Sequence, residues 1–146
     1  MKGATKSLSL LCLALCILMC GAVGAADALD VVIIANKEVP TATLDPDAIK
    51  KIFLGDIVNW DNNEVIMVVV TDEKEIHETF LKKYIKRTES QFGNVWRRNL
   101  FTGKGAMSKK VGSNAEMVEY VAKTKGAVGY VSSDVQLPAD VKIVGQ

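Results

Sequence analysis

Asp30-Val31-Val32-Ile33-Ile34-Ala35 and Val65-Ile66-Met67-Val68-Val69-Val70 are the two stretches that decide the fold. Neither alternates polar and apolar side chains, so neither suits a sheet with one face in water. A continuous β-branched apolar run is the pattern of a strand buried on both faces of a mainly parallel sheet, and helices must then cover both faces. The segments between and after the runs carry helix signals. Asp45 before Pro46, Leu44 placed to staple onto Ile49, and Gly55 as a left-handed exit frame a short helix that buries Ile49, Ile52 and Phe53. Asp72 with Glu75, Thr88 with Gln91, and Ser113 with Glu116 each hold capping-box spacing. The three helices they open are expected to bury Ile76, Phe80 and Tyr84; then Phe92, Val95, Trp96 and Leu100; then Met117, Val118 and Val121, at i, i+3, i+4 spacing. Two short strands follow, Ala127 to Val131 and Val141 to Val144, joined by a polar loop around Leu137-Pro138. The order β-α-β-α-α-α-β-β predicts an α/β three-layer sandwich with right-handed crossovers.

Upstream of the first run, Lys2 and Lys6 precede an uncharged apolar stretch from Leu8 to Val23, and Gly24-Ala25-Ala26-Asp27-Ala28 follows it. That is the order of a secretory signal, with small-x-small cuts after Ala25, Ala26 or Ala28. An uncleaved anchor is the competing reading, because the run nearly reaches the roughly 18 to 20 residues that span a bilayer; the A-x-A-like site favours cleavage. The chain is therefore divided into a signal over 1–26 and one domain over 27–146, with no stable membrane insertion after cleavage. Cys12, Cys16 and Cys20 all lie in the apolar stretch, and Leu15 and Met19 precede the last two where a lipid-anchored cysteine needs a small residue. The mature domain is thus expected to have no thiol, disulfide or thiolate metal site. Export without disulfides points to the periplasm, or secretion into the bacterial envelope.

Loss of Lys2 and Lys6 from 18 basic residues leaves the mature domain near neutrality against 17 acidic ones, which gives no argument for a nucleic-acid partner. The charge is uneven all the same. Lys82 to Lys110 is a basic region whose single acid is Glu89, whereas acids dominate from Lys37 to Glu78. The mature chain offers one histidine, His77, no cysteine, and none of the motifs of hydrolases, zinc peptidases or nucleotide binders, so no catalytic residue, metal ligand or cofactor is predicted. His77 reads as a half-exposed helical residue, with a ligand contact as the alternative.

In open α/β sheets ligands collect at the carboxyl ends of the strands. Two candidate sites follow. One joins Asn36 and Lys37 after the first strand to Thr71, Asp72 and Glu73 after the second, with Ser132 at the end of the third. The other is the glycine-rich basic stretch from Thr102 to Ser113, where Gly103, Lys104, Gly105 and Ser113 have the ingredients of an anion-binding nest. The competing readings are helix caps with a solvated loop for the first, and solvated lysines for the second. Trp60 reads as core over the first helix end.

Three stretches together resemble a known family: Ile49-Lys50-Lys51-Ile52-Phe53-Leu54-Gly55 with Val58-Asn59-Trp60; Phe92 to Trp96 with Phe101-Thr102-Gly103-Lys104-Gly105; and Lys125-Gly126-Ala127-Val128-Gly129-Tyr130-Val131. The chain is similar to the phosphate-type periplasmic solute-binding proteins of ABC transporters. The resemblance implies one lobe of a type 2 periplasmic binding protein-like fold, in a family whose full members close two lobes around phosphate. It departs after the second strand, where such proteins carry an Arg and a Gly-Ser-Gly-Thr turn and this chain reads Thr71-Asp72-Glu73-Lys74-Glu75. Three carboxylates at a helix N-terminus offset its positive end and repel an anion. The expectation is a non-enzymatic exported module that binds a small solute or an envelope partner, with a homodimer or partner needed to cover a single-lobe site. The alternative is an envelope adaptor that uses Lys82 to Lys110 and takes no small ligand.

Overall fold

The computed structural model describes residues 28–104 and 108–146. The stretch read as a signal, with Cys12, Cys16 and Cys20, lies outside the described residues, and so does Gly105. The first apolar run is β1 (Val31–Asn36), buried at every position, and the second is β2 (Met67–Thr71). Between them α1 (Pro46–Phe53) starts as its sequence dictates. Asp45 accepts from the Ala48 amide at 2.7 Å, Pro46 opens the first turn, and Gly55 takes the left-handed exit at φ 78°.

After β2 comes α2 (Lys74–Phe80), which runs on into one π turn, Leu81–Ile85. Asp72 makes no capping box here: the helix begins two residues later, and Glu73 sits at its N-cap without a side-chain bond to the helix. Next, α3 (Glu89–Phe101) opens with both bonds of the Thr88/Gln91 capping box. A short strand, β3 (Lys109–Val111), then precedes α4 (Asn114–Lys123), whose first turn Ser113 caps through the Glu116 amide. β4 (Ala127–Ser132) and β5 (Val141–Gly145) complete the chain. The strand β3 lies within a stretch read as a loop; three residues with two exposed lysines carry no apolar run.

The five strands are ordered β3-β2-β4-β1-β5. β2 pairs in parallel with β3 and with β4, while β1 is antiparallel to both its neighbours, β4 and β5. The sheet is therefore mixed, and the expectation of a mainly parallel sheet is corrected in that respect. An unbroken apolar run reports burial on two faces; it carries nothing about direction, and β1 has the burial of a parallel strand with antiparallel pairing. One face carries α1, α2, the π turn and α3 around Phe53, Phe80, Tyr84, Phe92 and Trp96; the other carries α4 through Met117 and Val121. The result is the three-layer α/β sandwich. Trp60 is core, as expected, and its indole donates to the Gly126 carbonyl at 3.0 Å. Leu100, expected inside, is about half exposed, because the buried face of α3 runs through Phe92, Trp96 and Asn99.

Candidate functional site

The reversal of β1 decides which residues can share a site. Val31, at the start of β1, pairs with Ser132 at the end of β4, so the carboxyl end of β1 lies at the far end of the sheet. Thr71 ends β2 beside Val111 of β3. The carboxyl ends of β2, β3 and β4 thus share one rim, and Asn36 and Lys37 belong to the opposite one.

At the β2-β4 rim the last inward-facing residue of β4 is Tyr130, fully buried. Its ring stacks on Phe80 at 3.8 Å between centroids and 3° between planes. Its hydroxyl accepts from the Thr71 amide at 3.3 Å and lies 2.5 Å from His77 Nδ1. Burial pushes the Tyr130 phenol well above its ordinary value, so it stays protonated. Burial also lowers His77, an effect that Lys110 reinforces and that Glu89, Asp72 and Glu78 oppose. The Tyr130 oxygen already accepts from the Thr71 amide, and His77 Nδ1 is the acceptor within reach of its O–H among the described residues, which selects one arrangement. Tyr130 donates to Nδ1, and Nε2 of His77 carries the hydrogen.

His77 borders a cavity of ≈ 370 Å³ between this rim and α3. Asp72 after β2, Lys74 at the start of α2 and Lys110 of β3 line it on one side, and Glu89, Phe92, Gly93 and Trp96 of α3 on the other. Asp72 pairs with Lys110, which offsets part of the negative charge that the sequence places at the start of α2. Thr71 accepts from the Glu73 amide at 3.1 Å and so shapes the turn into that helix. Two polar atoms near the rim are buried with no hydrogen-bond partner among the described residues, Glu73 Oε2 and Trp96 Nε1. A larger, open groove of ≈ 910 Å³ runs past Leu29, Glu75, Thr79 and Lys82, and its lining side chains are mainly solvated.

Of the residues expected at the first site, Thr71 and Asp72 line the cavity, and Glu73 lies beside them at the N-cap of α2. Asn36 is remote and fully occupied: its amide donates to the Val121 and Ala122 carbonyls at the end of α4, and its oxygen accepts from the Glu38 amide. Lys37 pairs with Asp140. Ser132 is on the correct rim but outside the cavity lining; its amide lies 3.4 Å from Asn114 Oδ1 and its hydroxyl donates to Asp134.

The second site comes apart for a related reason. Gly103 and Lys104 end α3, where their amides donate to the Leu100 and Asn99 carbonyls, and Lys104 lies 3.8 Å from Asp56. A helix C-terminus presents carbonyls and the negative end of its dipole, the wrong end for an anion. Ser113 is spent as the cap of α4. Sequence reasoning missed Tyr130, Lys110, Glu89 and Trp96 as rim residues. Only the Gly129-Tyr130 pair in β4 carried a signal, a large aromatic beside a glycine at a strand end.

A family profile described as a PBP superfamily domain matches residues 28–144. An ABC-type phosphate transport receptor from Vibrio cholerae superposes with a TM-score of 0.63 at 19% identity, over 80% of this chain and 45% of that one. PstS from Borrelia burgdorferi does so with a TM-score of 0.61 at 17% identity, over 80% and 47%. At these identities the likeness is one of fold, and the chain spans less than half the length of either relative. No curated protein matches the chain.

Proposed function

This chain belongs to the PBP superfamily domain family, and from that premise we propose that it is an exported, non-enzymatic domain that binds a small solute in the cavity between the carboxyl ends of β2 and β3 and α3. One observation carries the reading: a ≈ 370 Å³ cavity at the carboxyl ends of parallel strands, with an aromatic wall and a few polar groups converging on it. His77, held by the buried Tyr130, lines it, and so do the paired Asp72 and Lys110. No helix among the described residues is long and apolar enough to cross a membrane, and none of their His, Cys, Asp and Glu side chains form a group that could hold a metal ion.

Under this reading the stretch 1–26 is a secretory signal, the domain works in the bacterial envelope, and a second copy or a partner covers the open side of the cavity. Free phosphate does not match the lining, since Asp72 and Glu89 face the space and Lys110 is engaged by Asp72. Native mass spectrometry of the protein recovered from its host tests these points together. The expected spectrum shows an N-terminus cut after Ala25, Ala26 or Ala28 and a small-molecule adduct that Asp72→Ala with Lys110→Ala weakens. An intact N-terminus overturns export, and an adduct indifferent to the double substitution overturns the site. Micromolar phosphate binding by wild type in calorimetry overturns the exclusion of phosphate.

A second reading, an envelope adaptor, is favoured by one observation. Phe101 is 92% exposed at the end of α3, beside a cleft lined by Arg87, Arg98 and Lys104.

A further inference from the structure

We infer that the tip of α3 is a membrane-surface anchor: Leu100 and Phe101 enter the interfacial layer of an anionic bilayer while Arg97, Arg98 and Lys104 meet its phosphate headgroups. This goes beyond the solute site, since none of the five side chains lines that cavity. Phe101 is the most exposed large apolar residue among the described ones, at 92%, and its neighbour Leu100 is 52% exposed. Single apolar residues on a surface are ordinary. Two in succession at a helix end, the second an aromatic almost wholly in water, make a projecting apolar tip.

Cations surround the tip. Arg97 and Arg98 stand one turn before Phe101, at i−4 and i−3, and Lys104 follows three residues after it. All three are exposed. Arg97 bonds the Asn94 side chain and the Gly93 carbonyl, which leave its charge uncompensated. Arg98 has no carboxylate partner among the described residues, and Lys104 forms only an exposed pair with Asp56 at 3.8 Å, which a headgroup can displace. Between Glu89 and Glu116 the chain carries five basic residues and no acid, so this segment has no carboxylate to repel an anionic lipid. The same cations offset the negative end of the helix dipole.

The backbone of the tip suits a layer poor in water. A helix C-terminus leaves four carbonyls without helical partners, and each is costly away from water. Here the Arg98, Asn99 and Leu100 carbonyls accept from the Thr102, Lys104 and Gly103 amides, and the Thr102 hydroxyl lies 3.0 Å from the Arg98 carbonyl as a further donor. Size favours a bilayer over a protein partner. Two such side chains expose on the order of 300 Å², whereas each partner in a stable protein interface gives up about 800 Å². A bilayer needs no larger patch, because apolar insertion and headgroup attraction add to a weak, reversible association in which the domain lies on the membrane and does not span it.

The test is co-sedimentation of the mature chain, residues 27–146, with vesicles of phosphatidylglycerol and phosphatidylcholine in equal parts and with vesicles of phosphatidylcholine alone. That chain holds every described element and the whole family match, and it leaves out the apolar stretch 8–23, which would partition into lipid by itself. The expected result is binding to the mixed vesicles that weakens with salt, and far less to phosphatidylcholine. Leu100→Ser with Phe101→Ser lowers it about tenfold at unchanged Tm, since both side chains are exposed; Arg98→Ala with Lys104→Ala lowers it about twentyfold. Absence of binding to the mixed vesicles overturns the inference, and so does binding that the serine pair leaves unchanged or that is equal on both kinds of vesicle. Binding of polyglutamate that both pairs weaken, without vesicle binding, gives the surface to an acidic protein and favours the adaptor reading instead. Neither pair touches the solute cavity, so failure here leaves the solute reading standing.

Discussion

His77 and Tyr130 illustrate how one pair of side chains carries both packing and a charge constraint. Each ring is stacked, and each polar end is committed to the other. Because burial lowers the imidazole below its ordinary value of 6.5, the unfolded chain takes up a proton on His77 before the folded one does. Stability from this group is therefore complete above about pH 6.5 and is lost as pH falls toward the lower folded value. Urea unfolding across pH 5 to 7.5 should show that decline in wild type, and His77→Gln, which keeps an acceptor for the Tyr130 hydroxyl, should flatten it. An unchanged slope would place the proton uptake elsewhere. The carboxylates held low, Asp30 by Lys83 and Glu119 by Lys123, titrate in a more acidic window, so they do not blur the comparison. The sequence shows His77 on a helix beside Ile76, but the burial that lowers it is set by the tertiary fold, which brings Tyr130, more than fifty residues away, against its ring.

At the scale of elements, caps and turns were legible because their chemistry is local. Asp45, Thr88 and Ser113 cap the helices their spacing predicts, and Gly55 takes the backbone angle that only glycine adopts freely. Asp72 fails as a cap because its amide donates to the Val111 carbonyl, prolonging the β2-β3 ladder by one residue. Gly126, between α4 and β4, combines two constraints: φ is +70°, and an added Cβ would come 2.4 Å from the Val65 carbonyl oxygen. Gly126→Ala should cost roughly 2 to 4 kcal/mol in chemical denaturation. Gly93→Ala, free of both constraints, should instead gain about 0.5 to 1 kcal/mol. Equal effects at the two positions would contradict the assignment of Gly93 to an open cavity. No reading of the sequence distinguishes these two glycines, since the difference lies in what surrounds each one.

Across the whole molecule, the basic region from Lys82 to Lys110 does not fold into one patch. Lys83 reaches Asp30, Lys110 reaches Asp72, and Lys104 lies by Asp56, while Arg87 and Arg98 border the cleft near Phe101. If an acidic envelope partner docks there, affinity should drop sharply between low and physiological salt and fall further in Arg87→Ala with Arg98→Ala; solute binding in the cavity should change little. Salt-independent association would rule out this surface. The sequence by itself determined the elements, their caps, the two-sided burial of the sheet and the family resemblance, because apolar runs, turn residues and capping spacings act over a few residues. Only the tertiary structure decided the direction of β1, and with it that Asn36 and Lys37 lie at the far rim while Thr71, His77, Trp96 and Lys110 converge. Burial pattern fixes how many faces of a strand are covered; which way the strand runs depends on pairing partners a hundred residues apart, and no local signal encodes that.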